Sequence, residues 1–149
     1  MEESLPKMTH EEFLKHTETI SQNIKDYIQE NNLRIDYICP ILRSGAVPAV
    51  YLANQLNVVK FAPFQVKHIT YSDGRQETKL LFTPFASLEI TKTEPVFLVV
   101  DGTKAGGMSA QLCIDEIIKH KKQAQILYAC IIKSDDAPPL NHSCYESLP

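Results

Sequence analysis

The chain predicts an α/β fold, a central mostly parallel sheet flanked by helices, and three stretches carry that expectation. Val96 to Val100 is an unbroken apolar run that ends on a single carboxylate, Asp101. The small-residue loop Gly102-Thr103-Lys104-Ala105-Gly106-Gly107-Met108 follows, and a helical pattern begins near Ser109. A continuous β-branched and aromatic run suits a central parallel strand covered on both faces. Ile35 to Leu42 repeats the construction: a strand, the tight turn Arg43-Ser44-Gly45, and a helix from Ala46 to Asn57 with Pro48 tolerated in its first turn. Gln125 to Ile132 is a further buried run and delivers Lys133 to its carboxyl end. Parallel strands of one sheet bring their carboxyl ends to one edge, where open α/β sheets bind ligands. Arg43, Asp101 and Lys133 are therefore expected on the same edge.

The remaining elements follow in chain order. Thr9-His10-Glu11-Glu12 has the form of a capping box, and Phe13, Thr17, Ile20, Ile24, Tyr27 and Ile28 recur at helical spacing until Asn31-Asn32. In the helix after Arg43-Ser44-Gly45, Val47, Val50, Tyr51 and Leu56 are expected to supply most of the apolar face. Val58 to Ile69 contains strand material broken by Pro63. Thr70 to Lys79 is polar, reads as too long for a tight hairpin, and is a candidate lid or a solvated connection. Leu80 to Phe85 returns to the sheet as an antiparallel edge, and Ala86 to Glu94 is a connection. Ala110, Cys113, Ile114, Ile117 and Ile118 form the buried stripe of the helix from Ser109 to Lys122. The tail after Lys133 reads as a loop followed by a short irregular end.

At the sheet edge, Gly106 and Gly107 open backbone N–H groups to close approach, and the helix start adds its positive dipole end. That is a phosphate cradle with an acid beside it, the acid suited to a metal or a sugar hydroxyl. An ordinary tight strand–turn–helix connection has the same pattern. Arg43 is either a bidentate partner for phosphate oxygens or a surface arginine in a turn. The loop is neither a P-loop, since no Gly-Lys-Ser/Thr follows the glycines, nor the dinucleotide G-x-G-x-x-G.

Composition narrows the class. The 149 residues are expected to form one domain, 1–149, and 44% hydrophobic with 22% charged residues is an ordinary globular balance. A net charge of −3 argues against a general nucleic-acid binder. No apolar run approaches membrane-spanning length, and Met1 to Lys7 lacks signal-peptide character, so a cytoplasmic protein is expected. Cys39, Cys113, Cys130 and Cys144 form no Cys-x-x-Cys pair and read as buried free thiols in a reducing compartment.

An arginine turn, a glycine loop with an acid, a lysine and a candidate lid on one edge resemble the type I phosphoribosyltransferases. Ile38-Cys39-Pro40-Ile41-Leu42-Arg43-Ser44-Gly45-Ala46-Val47-Pro48-Ala49 is most similar to the bacterial xanthine-guanine and hypoxanthine enzymes, which carry an Arg-Gly-Gly-Leu-Val-Pro type turn there. The resemblance runs from about Ile35 to about Asn141. It implies the type I phosphoribosyltransferase fold with a short C-terminal hood, and transfer of a phosphoribosyl group from phosphoribosyl pyrophosphate to a 6-oxopurine base. Arg43, Ser44 and Gly45 are then the pyrophosphate loop, which in that family often holds a cis non-proline peptide. Lys104, Ala105, Gly106, Gly107, Met108 and Ser109 cradle the 5′-phosphate, and Gly102 and Thr103 also belong to the phosphoribosyl pyrophosphate site. Asp101 faces the ribose diol and the Mg²⁺ that bridges diol and pyrophosphate. Thr70-Tyr71 matches the Ser-Tyr of the lid, so that Tyr71 closes over the reacting centre, and Lys133 hydrogen-bonds the 6-oxo group. A homo-oligomer is implied as well.

The sequence departs from that pattern at specific places. The first of two adjacent acids is Val100, leaving Asp101. The aspartate placed to handle the purine N7 proton is Lys104. Two phosphate-binding threonines become Ala105 and Met108, with Ser109 the substitute hydroxyl. The tail ends soon after Tyr145, where the enzymes continue into a hood with a base-stacking aromatic. Two expectations result: a purine salvage transferase with Arg43, Tyr71, Asp101 and Lys104 at the reacting centre, or a protein of the same fold that binds phosphoribosyl pyrophosphate or a nucleotide with little turnover, as a sensor or partner module.

Overall fold

The computed structural model describes residues 8–104, 108–133 and 143–146, with the backbone alone at Thr103, Lys104, Lys133 and 143–146. Helix α1 (His10–Glu30) starts on Thr9, whose hydroxyl accepts from the N–H of Glu12 at 3.2 Å, and ends on Asn31. Strand β1 (Tyr37–Leu42) leads to α2 (Ala46–Leu56), and the antiparallel pair β2 (Phe64–Thr70) and β3 (Gln76–Phe82) follows. Strand β4 (Val96–Lys104), helix α3 (Met108–His120), β5 (Gln125–Lys133) and β6 (Ser143–Glu146) complete the order. Among the described residues six strands lie in one sheet, β3-β2-β1-β4-β5-β6, parallel except for β3 at its edge. This is the expected architecture, antiparallel edge included.

Strand alternation divides the core into two layers. Even-numbered β4 residues Val96, Leu98 and Val100 pack with Ile20 and Ile24 of α1 and Leu52 of α2. Odd-numbered Phe97 and Val99 pack with Cys113, Ile114 and Ile117 of α3. Both faces of β4 are thus covered, which is why its sequence runs apolar without a break.

Three expectations are corrected. Helix α2 does not bury Val47 and Val50, which are 59% and 51% exposed. Its sheet-facing stripe is Ala49, Leu52 and Ala53, where two alanines let the helix sit close to the strands. Thr70 to Lys79 is not a long connection: β2 and β3 pair as far as Thr70 with Gln76, and five residues make the turn. The N–H of Tyr71 donates to the carbonyl of Arg75 at 2.8 Å, and Gly74 supplies the left-handed φ of 87°. Nor is the tail irregular throughout. Residues Ser143–Glu146 form β6, parallel to β5 with Leu127 beside Ser143 and Cys130 beside Glu146. The remainder of the expected hood, 134–142 and 147–149, lies outside the described residues.

Candidate functional site

The site begins with two glycines. The first loop leaves β1 through a cis peptide between Leu42 and Arg43, at the turn where the sequence resemblance implied one. The N–H of Gly45 donates to the carbonyl of Ile41 at 2.9 Å, and that of Ala46 to Arg43 at 3.1 Å. A Cβ at Gly45 would overlap the carbonyl oxygen of Val100 and stand 2.8 Å from that of Ile41. A Cβ at Gly102 would meet the Ser44 carbonyl oxygen at 2.6 Å and its Cβ at 2.8 Å. Each loop therefore needs a glycine where the other passes.

That close approach brings the first polar contact of the edge. Ser44 Oγ donates to Asp101 Oδ1 at 3.2 Å across 57 residues of sequence. Asp101 is only 4% exposed, a buried carboxylate inside β4, which continues through Gly102 to Lys104 where a loop was expected. Arg43 and Ser44 are exposed beside it. Val100, its neighbour, is fully buried in the α1/α2 layer, so an acid is lacking there because the position belongs to the core. Register sets Asp101 beside Cys130 and Lys104 beside Lys133. The two lysines therefore occupy neighbouring strand ends. Nothing is described of Ala105, Gly106 and Gly107, whose expected cradle lies outside the described residues.

Helix α3 opens at Met108, which is 59% exposed, and Ser109. Ser109 Oγ lies 3.2 Å from His68 Nε2 of β2, and His68 Nδ1 lies 2.9 Å from Thr78 Oγ1 of β3. A hydroxyl–imidazole–hydroxyl chain thus ties the β2–β3 hairpin to the first turn of α3. Sequence reasoning missed His68. The alternation of β2 placed it among strand positions without showing what it would face.

At the hairpin tip Tyr71 donates to Glu77 Oε2 at 2.6 Å, and the carboxylate raises the phenol's pKa. Arg75 lies over the Tyr71 ring at 4.9 Å and pairs with Asp73 at 2.7 Å. Tyr71 is 37% exposed and engaged within its own hairpin.

Beneath Asp101 the cysteines Cys39, Cys113 and Cys130 are buried and form no disulfide with one another. Burial, and then the negative charge of Asp101 and Glu116, pushes the Cys113 thiol well above its ordinary range. Burial does the same for Cys39, with Cys113 adding to it. Neutral, enclosed thiols are packing groups and poor nucleophiles. Among the described residues no group of three His, Cys, Asp or Glu side chains is placed to hold a metal ion by itself.

On the α1/α2 face the same edge carries a cleft of about 490 Å³. Phe13, Val47 and Tyr51 form its walls, with Ser44, Gly102 and Ile132 also lining it. The Phe13 and Tyr51 rings meet edge to face at 5.3 Å and 78°. Reading Val47 and Tyr51 as core hid this feature. The i, i+3, i+4 stripe of Ala49, Leu52 and Ala53 was the available signal for the true buried face.

No protein-family model matches the sequence, and no curated protein matches it. Solved structures do. A hypothetical protein from Neisseria gonorrhoeae with bound ppGpp superposes with a TM-score of 0.76 at 16% identity, over 93% of this chain and 79% of the other. The xanthine-guanine-hypoxanthine phosphoribosyltransferase of Helicobacter pylori gives 0.72 at 15% identity, over 95% and 86%. A hypoxanthine-guanine phosphoribosyltransferase from Bacillus anthracis gives 0.66 at 13% identity, over 95% and 80%. With its strand order and the coverage of these matches, the chain has the type I phosphoribosyltransferase fold.

Proposed function

We propose that the Asp101 edge binds phosphoribosyl pyrophosphate with Mg²⁺ and transfers its phosphoribosyl group to a 6-oxopurine base: hypoxanthine, guanine or xanthine. The observation that carries this reading is the contact of Ser44 Oγ with Asp101 Oδ1, which joins the arginine turn to the acid at neighbouring strand ends. The bond from the anomeric carbon to pyrophosphate breaks, a bond to a purine ring nitrogen forms, and that nitrogen's proton leaves to solvent or a base.

Each residue then has a task. Arg43 balances charge on the departing pyrophosphate. Lys104, Ala105, Gly106, Gly107, Met108 and Ser109 receive the 5′-phosphate, helped by the α3 dipole, and Gly102 and Thr103 bind phosphoribosyl pyrophosphate beside them. Lys133 reaches the purine's exocyclic oxygen. Tyr71 covers the centre when the hairpin tip exchanges its internal partners for the ligand. Asp101 alone makes no metal site, but it suits a Mg²⁺ that takes most of its ligands from the diphosphate and water. When bound, that ion neutralises the leaving group.

A second reading has its own support: the same edge holds a nucleotide with little turnover. Val100 is core, the proton-handling aspartate is Lys104, and the Neisseria protein of this fold was crystallised with ppGpp.

The test incubates the protein with phosphoribosyl pyrophosphate, Mg²⁺ and each base, with calorimetry of nucleotide and phosphoribosyl pyrophosphate binding in parallel. Monophosphate formation is expected. Binding without turnover selects the second reading, and absence of both overturns the site. Lys104→Asp should raise turnover where the missing acid limits the rate. An unchanged rate assigns the limit to Val100, Ala105 and Met108.

A further inference from the structure

The imidazole of His68 has no task in the chemistry above, yet both of its ring nitrogens are engaged. On β2 the side chains that face α3 alternate with those that face away, and Phe64 and Val66 belong to the apolar layer under that helix. His68 is the next residue of this row, and Thr78 stands opposite it on β3. The row changes from apolar to imidazole where it meets the first turn of α3. There Nε2 lies 3.2 Å from Ser109 Oγ, while Nδ1 lies 2.9 Å from Thr78 Oγ1. A neutral imidazole carries one N–H, so the chain of three groups has two arrangements. In one, Nδ1–H donates to Thr78 and the Ser109 hydroxyl donates to Nε2. In the other, the Thr78 hydroxyl donates to Nδ1, Nε2–H donates to Ser109, and the Ser109 proton is left for a further acceptor. The first arrangement offers an arriving anion a lone pair of Ser109, and the second offers it a proton.

We propose that His68 is a positioning residue that acts through Ser109: its Nε2–H holds the serine oxygen so that the serine hydroxyl donates to the ligand's 5′-phosphate. The proposal rests on the phosphoribosyl reading of the Asp101 edge and adds a residue which that reading does not use. A hydrogen bond to an ionised acceptor is stronger than one between neutral groups, so the phosphate selects the second arrangement. The switch moves no net charge. Two hydroxyls rotate, and the exposed ring gives its Nδ1 proton to water and takes one from water at Nε2. His68 and Thr78 belong to the strand pair whose turn begins at Tyr71, so the bound phosphate is joined through His68 to the hairpin tip.

The experiment is calorimetry of phosphoribosyl pyrophosphate with Mg²⁺ on the full chain and its variants. Ser109→Ala should weaken binding about tenfold and His68→Phe about fivefold. His68→Gln, whose amide N–H takes the place of Nε2–H, should recover most of the His68→Phe loss. The two substitutions Ser109→Ala and His68→Phe together should cost no more than Ser109→Ala alone, since His68 acts only through the serine. Binding of pyrophosphate, which lacks the 5′-phosphate, should be unchanged by all of them. Nitrogen-15 NMR of histidine-labelled chain, with His68→Gln to assign the signals, should find the His68 proton on Nε2 in the phosphoribosyl pyrophosphate complex. A merely structural histidine would not follow the ligand in this way. Unchanged affinity in His68→Phe, additive losses, an equal loss of pyrophosphate binding, or a bare Nε2 in the complex each overturn the proposal and leave the phosphoribosyl reading standing. Absence of phosphoribosyl pyrophosphate binding to the unmodified chain overturns both.

Discussion

Between β1 and α2 the chain turns through Arg43-Ser44-Gly45 with no space for a Cβ at the glycine, and the turn closes on its own backbone through Ile41 and Arg43. Toward the end of β4 it passes Asp101 and Gly102, and the space at Gly102 is taken by Ser44 of the loop after β1. The two units share one plan, a buried strand, a small-residue loop and a helix, yet they divide the work. The first supplies shape: its neighbours at Gly45 are backbone atoms, which cannot move aside as a side chain would. The second supplies charge, a carboxylate kept 4% exposed at the strand end. The lesson is that the acid, held by its own strand, meets a serine that this strand does not carry.

Substitutions can break this division of labour. Gly45→Ala should have the largest effect, about 3 kcal/mol of lost stability in a denaturant titration, because overpacking here pushes on backbone. A loss below half that value would show that the loop relaxes and does not serve as the frame. Asp101→Asn keeps the shape of the second unit and removes its charge. It should lower Mg²⁺-dependent binding of phosphoribosyl pyrophosphate by about 100-fold, or about 2.7 kcal/mol, with the fold intact. Retained binding would take the charge role away from Asp101. Gly102→Ala should cost about 2 kcal/mol and also weaken ligand binding, since it separates Ser44 from Asp101. A stability loss with unchanged binding would uncouple the loops.

The smallest effect lies under the acid. Cys39 and Cys113 hold their protons more tightly in the folded chain than in the unfolded one. Their contribution is complete below the ordinary thiol pKa of about 8.5 and declines above it, as unfolded thiols ionise while folded ones do not. The decline approaches about 1.4 kcal/mol per pH unit for each thiol. Denaturation at pH 7.5 and pH 8.5 measures its onset, a few tenths of a kcal/mol per thiol, and Cys113→Ala should remove one thiol's share. A flat profile would mean that the thiols ionise in place.

Much of the edge was legible in the sequence because it depends on local signals. An apolar run that stops before Arg43 locates the end of β1 without reference to the rest of the chain, and one that stops at Asp101 locates the buried part of β4, whose last residues to Lys104 are polar or small and read as loop. The helix faces were less legible. In α2, Val47 and Val50 outweigh Ala49 and Ala53 in hydrophobicity, yet a helix lying close on a sheet needs its small residues inward. The hairpin was misjudged for a related reason. Its polar residues find partners across the turn and the two strands, Asp73 with Arg75 and Tyr71 with Glu77, and composition does not reveal pairing. The contacts of His68 with Ser109 and of Ser44 with Asp101 bridge 41 and 57 residues, and no local pattern announces them.

The hairpin tip has a consequence for ionic strength. Tyr71, Asp73, Arg75 and Glu77 satisfy one another at the surface, through exposed charges that salt screens. Salt therefore loosens the tip while leaving the buried sheet beneath it untouched. Under the proposed function it also weakens the attraction of Arg43 for an anionic ligand. The two effects act in opposite directions on closure over a bound phosphate, so the ligand's dwell time is expected to pass through a maximum as salt is raised rather than fall steadily.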